Sequence, residues 1–255
     1  MNINNPANCI LLVLAIVLTG CGGGGDGGGS SSSSSFILEE GIEVSDSTLR
    51  TYQNGETWDY LLEGTHEDGS TKENLSGSYK ISYFTKTKTA PDTQTVDTES
   101  ISGKLTISEG STINSNIQNY VYQDSNGDMY YYGDQEDGWI KSGPVLNTPG
   151  TIYTGYAKSH SFTYENGARH ESTVNVVGTA KVETPAGSYE TYKIEGSSTI
   201  TDTDGSYKKS NSTSWFSPKL GQTVIRERNV SYYDAYDSFE DSFTWTIKLT
   251  GGSAT

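Results

Sequence analysis

Near the end of the chain Phe243, Trp245, Ile247 and Leu249 alternate with Thr244, Thr246 and Lys248. A period of two puts the aromatic and aliphatic side chains on one face of a strand and the polar ones on the other. A strand of that kind must find an apolar surface to bury against, and this repeated demand limits what the chain can fold into. The same alternation returns in Trp58, Tyr60 and Leu62, in Tyr79, Ile81 and Tyr83, and in Ile101, Leu105 and Ile107 with Gly103 between them. Turn dipeptides separate the runs: Asp68-Gly69, Asn126-Gly127, Asn166-Gly167 and Asp204-Gly205. Glycine after Asn or Asp supplies the positive φ angle that hairpin turns require. Pro185-Ala186-Gly187 predicts a bend, and Ser217 to Gly221 a further turn. Thr85 to Thr98, polar and interrupted by Pro91, predicts a loop or frayed strand ends. Gly143 to Gly150, with Pro144 and Pro149, predicts a loop between two halves of the sheet.

No stretch from Ser45 onward holds a helical period, so the fold class is all-β with little helix outside the signal peptide. The expectation is one antiparallel meander of about ten strands across residues 51–250. Twisted open sheets rarely exceed about 10 strands without curling, so the meander should form a half-barrel or open barrel.

Composition allows such a core and narrows the partners. Only 32% of residues are hydrophobic and the net charge is −15, which alone would favour disorder. Eighteen Tyr, four Trp and six Phe supply the burial that offsets this. Nucleic acid is excluded as a partner, because binding it needs a basic footprint. Docking on anionic headgroups by charge is excluded for the same reason.

Ahead of the β domain, Ile10 to Leu18 is an uncharged apolar run. It is too short to span a bilayer, which takes roughly 20 residues, and it suits the core of a secretory signal peptide. Leu18-Thr19-Gly20-Cys21 follows it and resembles the lipobox of bacterial lipoproteins. The resemblance implies that residues 1–20 are a signal peptide, that a diacylglycerol is attached to the Cys21 thiol, and that the peptidase cuts just before it. Cys9 would leave with the signal, so no disulfide could form within one mature molecule. Residues 21–50 form a tether and lead-in, with Gly22 to Ser35 expected as a flexible coil reaching roughly 20 Å. Phe36-Ile37-Leu38 either docks on the domain or merely precedes it, and residues 251–255 are expected as a disordered tail. In enterobacterial lipoproteins an Asp after the lipidated Cys favours inner-membrane retention. Gly22 stands there, so the resemblance implies a lipid-anchored cell-envelope protein of the outer membrane.

Two further segments carry a likeness: Val182-Glu183-Thr184-Pro185-Ala186-Gly187-Ser188-Tyr189-Glu190-Thr191-Tyr192-Lys193-Ile194, and Trp215-Phe216-Ser217-Pro218-Lys219-Leu220-Gly221-Gln222-Thr223-Val224. With Gly55 to Tyr60 they resemble a pattern of bacterial lipoproteins similar to the curved half-barrels of LolA/LolB-type lipoprotein carriers. That resemblance implies an apolar ligand held in a concave face. Turn chemistry alone also accounts for Pro185, Gly187, Pro218 and Gly221.

Candidate chemistry is sparse. His66, His160 and His170 show no metal-ligand or catalytic spacing. Asp124, Asn126 and Asp128 are a calcium candidate, with three oxygens at alternate positions. An EF-hand needs Gly at position six and a bidentate Glu at twelve, whereas here Gly127 is fourth and Gln135 twelfth. A solvated hairpin tip explains the same residues, as it does the acidic loop of Asp234, Asp237, Glu240 and Asp241. Tyr130-Tyr131-Tyr132 and Tyr232-Tyr233 place tyrosines on both strand faces, so at least one of each set should face away from the core. Exposed Tyr suits recognition of proteins or sugars. The sequence therefore predicts no enzyme and no cofactor. It predicts a binding or structural module, holding an apolar ligand in the concave face or recognising a protein or carbohydrate through exposed tyrosines, with a hydrolase as the remaining alternative.

Overall fold

The computed structural model describes residues 36–254 apart from 69–70 and 108–111. The signal peptide, Cys21, the Gly/Ser tether and Gly69 lie outside the described residues. Fourteen strands follow one another: β1 (Ile37–Glu40), β2 (Thr57–Asp68), β3 (Thr71–Thr89), β4 (Thr95–Ile107), β5 (Thr112–Gln123), β6 (Met129–Asp134), β7 (Gly138–Trp139), β8 (Val145–Thr148), β9 (Ala157–Thr163), β10 (Arg169–Thr184), β11 (Gly187–Thr201), β12 (Tyr207–Ser217), β13 (Gln222–Tyr233) and β14 (Phe239–Gly251). No helix occurs among the described residues. All strands belong to one antiparallel sheet ordered β1-β10-β11-β12-β13-β14-β2-β3-β4-β5-β6-β7, with β8 also on β6 and β9 also on β10.

The fold is the expected open meander. Its last strand pairs with β2, from Ser242 opposite Glu67 to Gly251 opposite Asp59, which joins the two halves of the chain in mid-sheet. The break falls between β8 and β9, close to the predicted loop, although Val145–Thr148 of that loop pairs with β6. The sheet is not closed into a barrel. Its two edges touch at one corner, where Ile140 bridges Tyr164 and the Lys141 amide donates to the Thr163 carbonyl at 2.9 Å.

The structure changes two expectations and settles one alternative left open, each for a physical reason. Most of Thr85–Thr98 is strand: a bulge between Phe84 and Lys88 lets β3 run on to Thr89 and confines the turn to Ala90–Gln94. Phe36 docks, packing edge-on against Trp215 at 4.9 Å, while β1 pairs with β10. Gly252 to Ala254, expected as tail, return to β2, where the Thr57 amide donates to Ser253 Oγ at 3.0 Å.

What curls the sheet is a diagonal of glycines at positions facing the interior. A Cβ on Gly64 would lie 2.2 Å from the Thr244 carbonyl oxygen, on Gly77 2.4 Å from that of Lys104, and on Gly103 2.5 Å from Tyr79 Cβ. Each is displaced two residues from its predecessor's register, since Gly64 faces Leu75 and Gly77 faces Leu105. The missing side chains let neighbouring strands close in along one line, as glycine kinks do in curved sheets.

Five hairpins share one turn. In Ala90–Gln94, Asp124–Asp128, Tyr164–Ala168, Asp202–Ser206 and Asp234–Ser238 the first amide donates to the fifth carbonyl and the fourth amide to the first carbonyl. The fourth residue has positive φ in each: Thr93, Gly127, Gly167, Gly205 and Asp237. This is a type I turn closed by a glycine-type bulge. Thr93 is the poorest fit, since a β-branched side chain at φ 70° crowds its own backbone. It is exposed, so Thr93→Gly should raise stability by roughly 0.5–1 kcal/mol, the relief of left-handed strain less glycine's entropy cost. A urea midpoint equal to or below the parent's would contradict this.

Candidate functional site

The concave face is filled. One core cluster draws Trp58, Tyr60, Ile101, Val224, Phe243 and Leu249 together with residues from most other strands. Opposite walls also join through polar groups: Glu99 on β4 accepts from Asn119 Nδ2 at 3.1 Å and from Gln222 Nε2, on β13, at 3.0 Å. Burial pushes the Glu99 carboxyl up, and its two amide donors and Arg226 pull the other way. Tyr60 and Tyr79 stack at 4.8 Å, and the Tyr60 hydroxyl donates to the Thr223 carbonyl at 2.8 Å. Arg226 donates from Nε to Ser214 at 2.9 Å, and Arg228 from Nη2 to Ser210 at 2.8 Å. One mouth is crossed by residues 47–53, whose Leu49 amide donates to the Gly150 carbonyl and whose Arg50 amide donates to that of Pro218. Tyr52 stacks there on Tyr83 at 4.9 Å. The interior thus belongs to the protein's own side chains.

At the opposite end, where the sheet edges meet, a cluster of titratable groups is buried. The Tyr131 hydroxyl donates to Asp134 Oδ2 at 2.7 Å and lies 3.3 Å from the Tyr164 hydroxyl, while Asn166 Nδ2 donates to Asp137 Oδ1 at 2.7 Å. At the exposed rim of the cluster, partial burial, then the Asp134 charge, pushes the Glu136 carboxyl up to about 7. Burial pushes the Lys208 ammonium down to about 8 against the pull of Asp137 and Asp202. His170 is enclosed by Phe162 at 4.7 Å and Tyr164 at 6.5 Å, and burial takes it down to about 3, so it is neutral.

The other sequence candidates are turn and wall residues. Asp124 Oδ1 accepts the amides of Asn126 at 2.8 Å and Asp128 at 3.0 Å, and Asp128 Oδ1 accepts that of Gly150 at 2.6 Å. These oxygens hold the β5–β6 turn. His66 is stacked on Phe243 at 4.4 Å with Nε2 2.6 Å from Asp241 and Nδ1 3.5 Å from Glu73. Both its nitrogens face carboxylates, which fixes it in the wall. His160 faces Ser172 across the β9–β10 pairing and is only partly buried.

Tyrosines divide between the faces as expected. Tyr131 and Tyr232 join the main core, while Tyr132 joins a small outer cluster with Ala90, Val96 and Tyr120. Tyr233 lies on the outer face, stacked on Tyr207 at 4.8 Å with Phe239 edge-on at 6.0 Å. Lys209 Nζ sits 5.0 Å from the Tyr207 ring centre and 5.3 Å from that of Tyr233. The Tyr207 hydroxyl donates to Asp237. Beside them Tyr236 is 89% exposed and Phe239 47%. This aromatic ledge, at the β13–β14 turn, is the candidate recognition surface. The sequence flagged Tyr233 and the acidic loop but missed Tyr236 and Phe239, which no alternation distinguishes from packed residues.

No protein-family model matches the chain, and a search of curated proteins finds no match. Among solved structures it is similar to a Bacteroides fragilis protein proposed to be exported and described as having a YmcC-like fold. The likeness has a TM-score of 0.42 at 14% identity and covers 82% of this chain and 100% of that one. A protein proposed to be a thioesterase II, from Thermobifida fusca, aligns at a TM-score of 0.12 and 10% identity over 78% of this chain and 80% of that one. Likenesses this slight carry no functional conclusion.

The buried corner gives a pH prediction. His170 has a lowered folded pKa, so the unfolded state takes up the proton first as pH falls below 6.5 and stability is lost downward to about 3. His170→Phe should therefore gain over the parent as pH falls from about 7.5 to about 4.5. Urea midpoints across this range check it; parallel profiles would refute the assignment.

Proposed function

We propose that the protein is a lipid-anchored, non-enzymatic module of the bacterial outer membrane that recognises another envelope component through the ledge of Tyr207, Tyr233, Tyr236 and Phe239. The observation that carries this is placement. The described chain enters at Phe36, against Trp215 near the β12–β13 turn, whereas the ledge lies at the other end of β13. Eight residue steps of strand, from Trp215 to Tyr207, put the two roughly 27 Å apart. An anchor on Cys21 and the Gly/Ser run would then tether one end of the sheet and present the other. Large aromatic rings left open to solvent beside polar partners suit recognition, and the filled concave face favours this over capture of an apolar ligand.

Two outcomes are expected in cells. Cys21→Ser should move the protein from the membrane fraction to the soluble fraction without changing its circular dichroism; retention in the membrane would remove the anchor. A photo-crosslinking residue at position 236 should trap one discrete partner, whereas the same residue at Leu61, also exposed but away from the ledge, should not. Equal labelling from both positions would remove the ledge as a recognition surface.

A further inference from the structure

We infer that the partner of the ledge is a lysine- or arginine-rich polypeptide segment of another envelope protein; this rests on the ledge being the recognition surface. Of the six carboxylates in residues 201–209 and 231–241, Asp241 is held against His66 and Asp202 lies by the buried Lys208, which leaves Asp204, Asp234, Asp237 and Glu240 around the ledge against Lys209. Lys208 does not offset the outer charge, because its Nζ is buried. Lys209 lies over Tyr207 and Tyr233, and this contact shows that the aromatic pair accepts an ammonium. A cation over a ring face is attracted by the ring quadrupole, and the long aliphatic stem of Lys or Arg can cover apolar surface such as Phe239.

The carboxylates are held where a partner would meet them. Asp234 Oδ1 accepts the amides of Tyr236 and Ser238, each at 2.8 Å, and Asp204 Oδ1 accepts that of Ser206 at 2.9 Å. Both are fixed to a turn by these bonds, and Glu240 is exposed beside them. The whole chain carries −15, so an anionic glycan or acidic protein would be repelled. A neutral sugar could stack on Tyr236 but would gain nothing from the carboxylates. A basic segment uses both features.

The test uses the full chain with Cys21→Ser and three probes: a short Arg/Lys peptide with Gly/Ser spacing, the same peptide with Glu in place of the basic residues, and an N-acetylglucosamine oligomer. The basic peptide should bind, and its affinity should fall steeply between about 20 and 300 mM salt. Tyr236→Ala should weaken it roughly tenfold at unchanged charge, and the pair Asp204→Asn, Glu240→Gln by a similar factor. The pair Glu39→Gln, Glu40→Gln removes as much charge on β1 and should change affinity by less than about twofold. Equal losses from the two charge pairs would reduce the effect to diffuse attraction and overturn the inference. So would indifference to Tyr236→Ala, preference for the sugar oligomer, or no binding of the basic peptide. Crosslinking from position 236 that persists in the Asp204→Asn, Glu240→Gln variant would also overturn the basic-partner assignment while leaving the ledge intact, so the two readings fail separately.

Discussion

Among the described residues no helix covers the sheet, so its apolar face can be buried only against its own opposite wall. Every other feature follows from that. A flat sheet of these strands would leave Trp58, Ile101, Phe243 and Leu249 in water, whereas each is almost wholly buried. Fully burying one large apolar side chain is worth about 1.5–3 kcal/mol, which gives curling its drive. Gly64, Gly77 and Gly103 give it a place. Any side chain there would meet backbone or a neighbouring Cβ before the strands could approach.

A wall facing a wall also brings polar side chains inward. On β13, Arg226 and Arg228 share the inward set with Val224 and Val230, and all four are buried. A guanidinium removed from water needs partners, and the serines of β12 supply them, Ser214 for Arg226 and Ser210 for Arg228. Glu99 and Gln222 act similarly between strands that are not sheet neighbours. Such contacts fix which part of the sheet faces which, a choice that apolar packing alone leaves loose.

The long strands were legible because alternation over five to seven residues recurs between turn signals, and the bends at Pro185 and at Asn126, Asn166 and Asp204 were legible from turn chemistry. Short edge strands were not: β7 has two residues and β1 and β8 four each, too few to display a period. The inward arginines were hidden because a binary reading assigns charge to the outside, and only the register of β12 on β13 places Ser214 opposite Arg226. Lys208 and His170 were hidden likewise, since their burial depends on the corner where Ile140 meets Tyr164. For the ledge, the sequence offered Tyr233 and an acidic loop, but exposure of Tyr236 is set by its third place in a turn whose fourth residue is Asp237 at φ 67°. Glycine holds that fourth place in three of the other four hairpins of this kind.

Asp237 ties the two ends of the argument together. A left-handed conformation is tolerated better by Asp than by most residues, though still less well than by Gly. Here its carboxylate accepts the hydroxyl of Tyr207 from the neighbouring hairpin, a contact glycine could not make. Tyr207 is in turn the stacking partner of Tyr233 and lies under Lys209. The residue that fits its backbone less well than glycine would is therefore the one that joins the β13–β14 turn to the β12 side of the ledge. Thr93 gives up the same local fit in the Ala90–Gln94 turn, but at Asp237 the side chain gained in exchange holds an exposed aromatic surface in place.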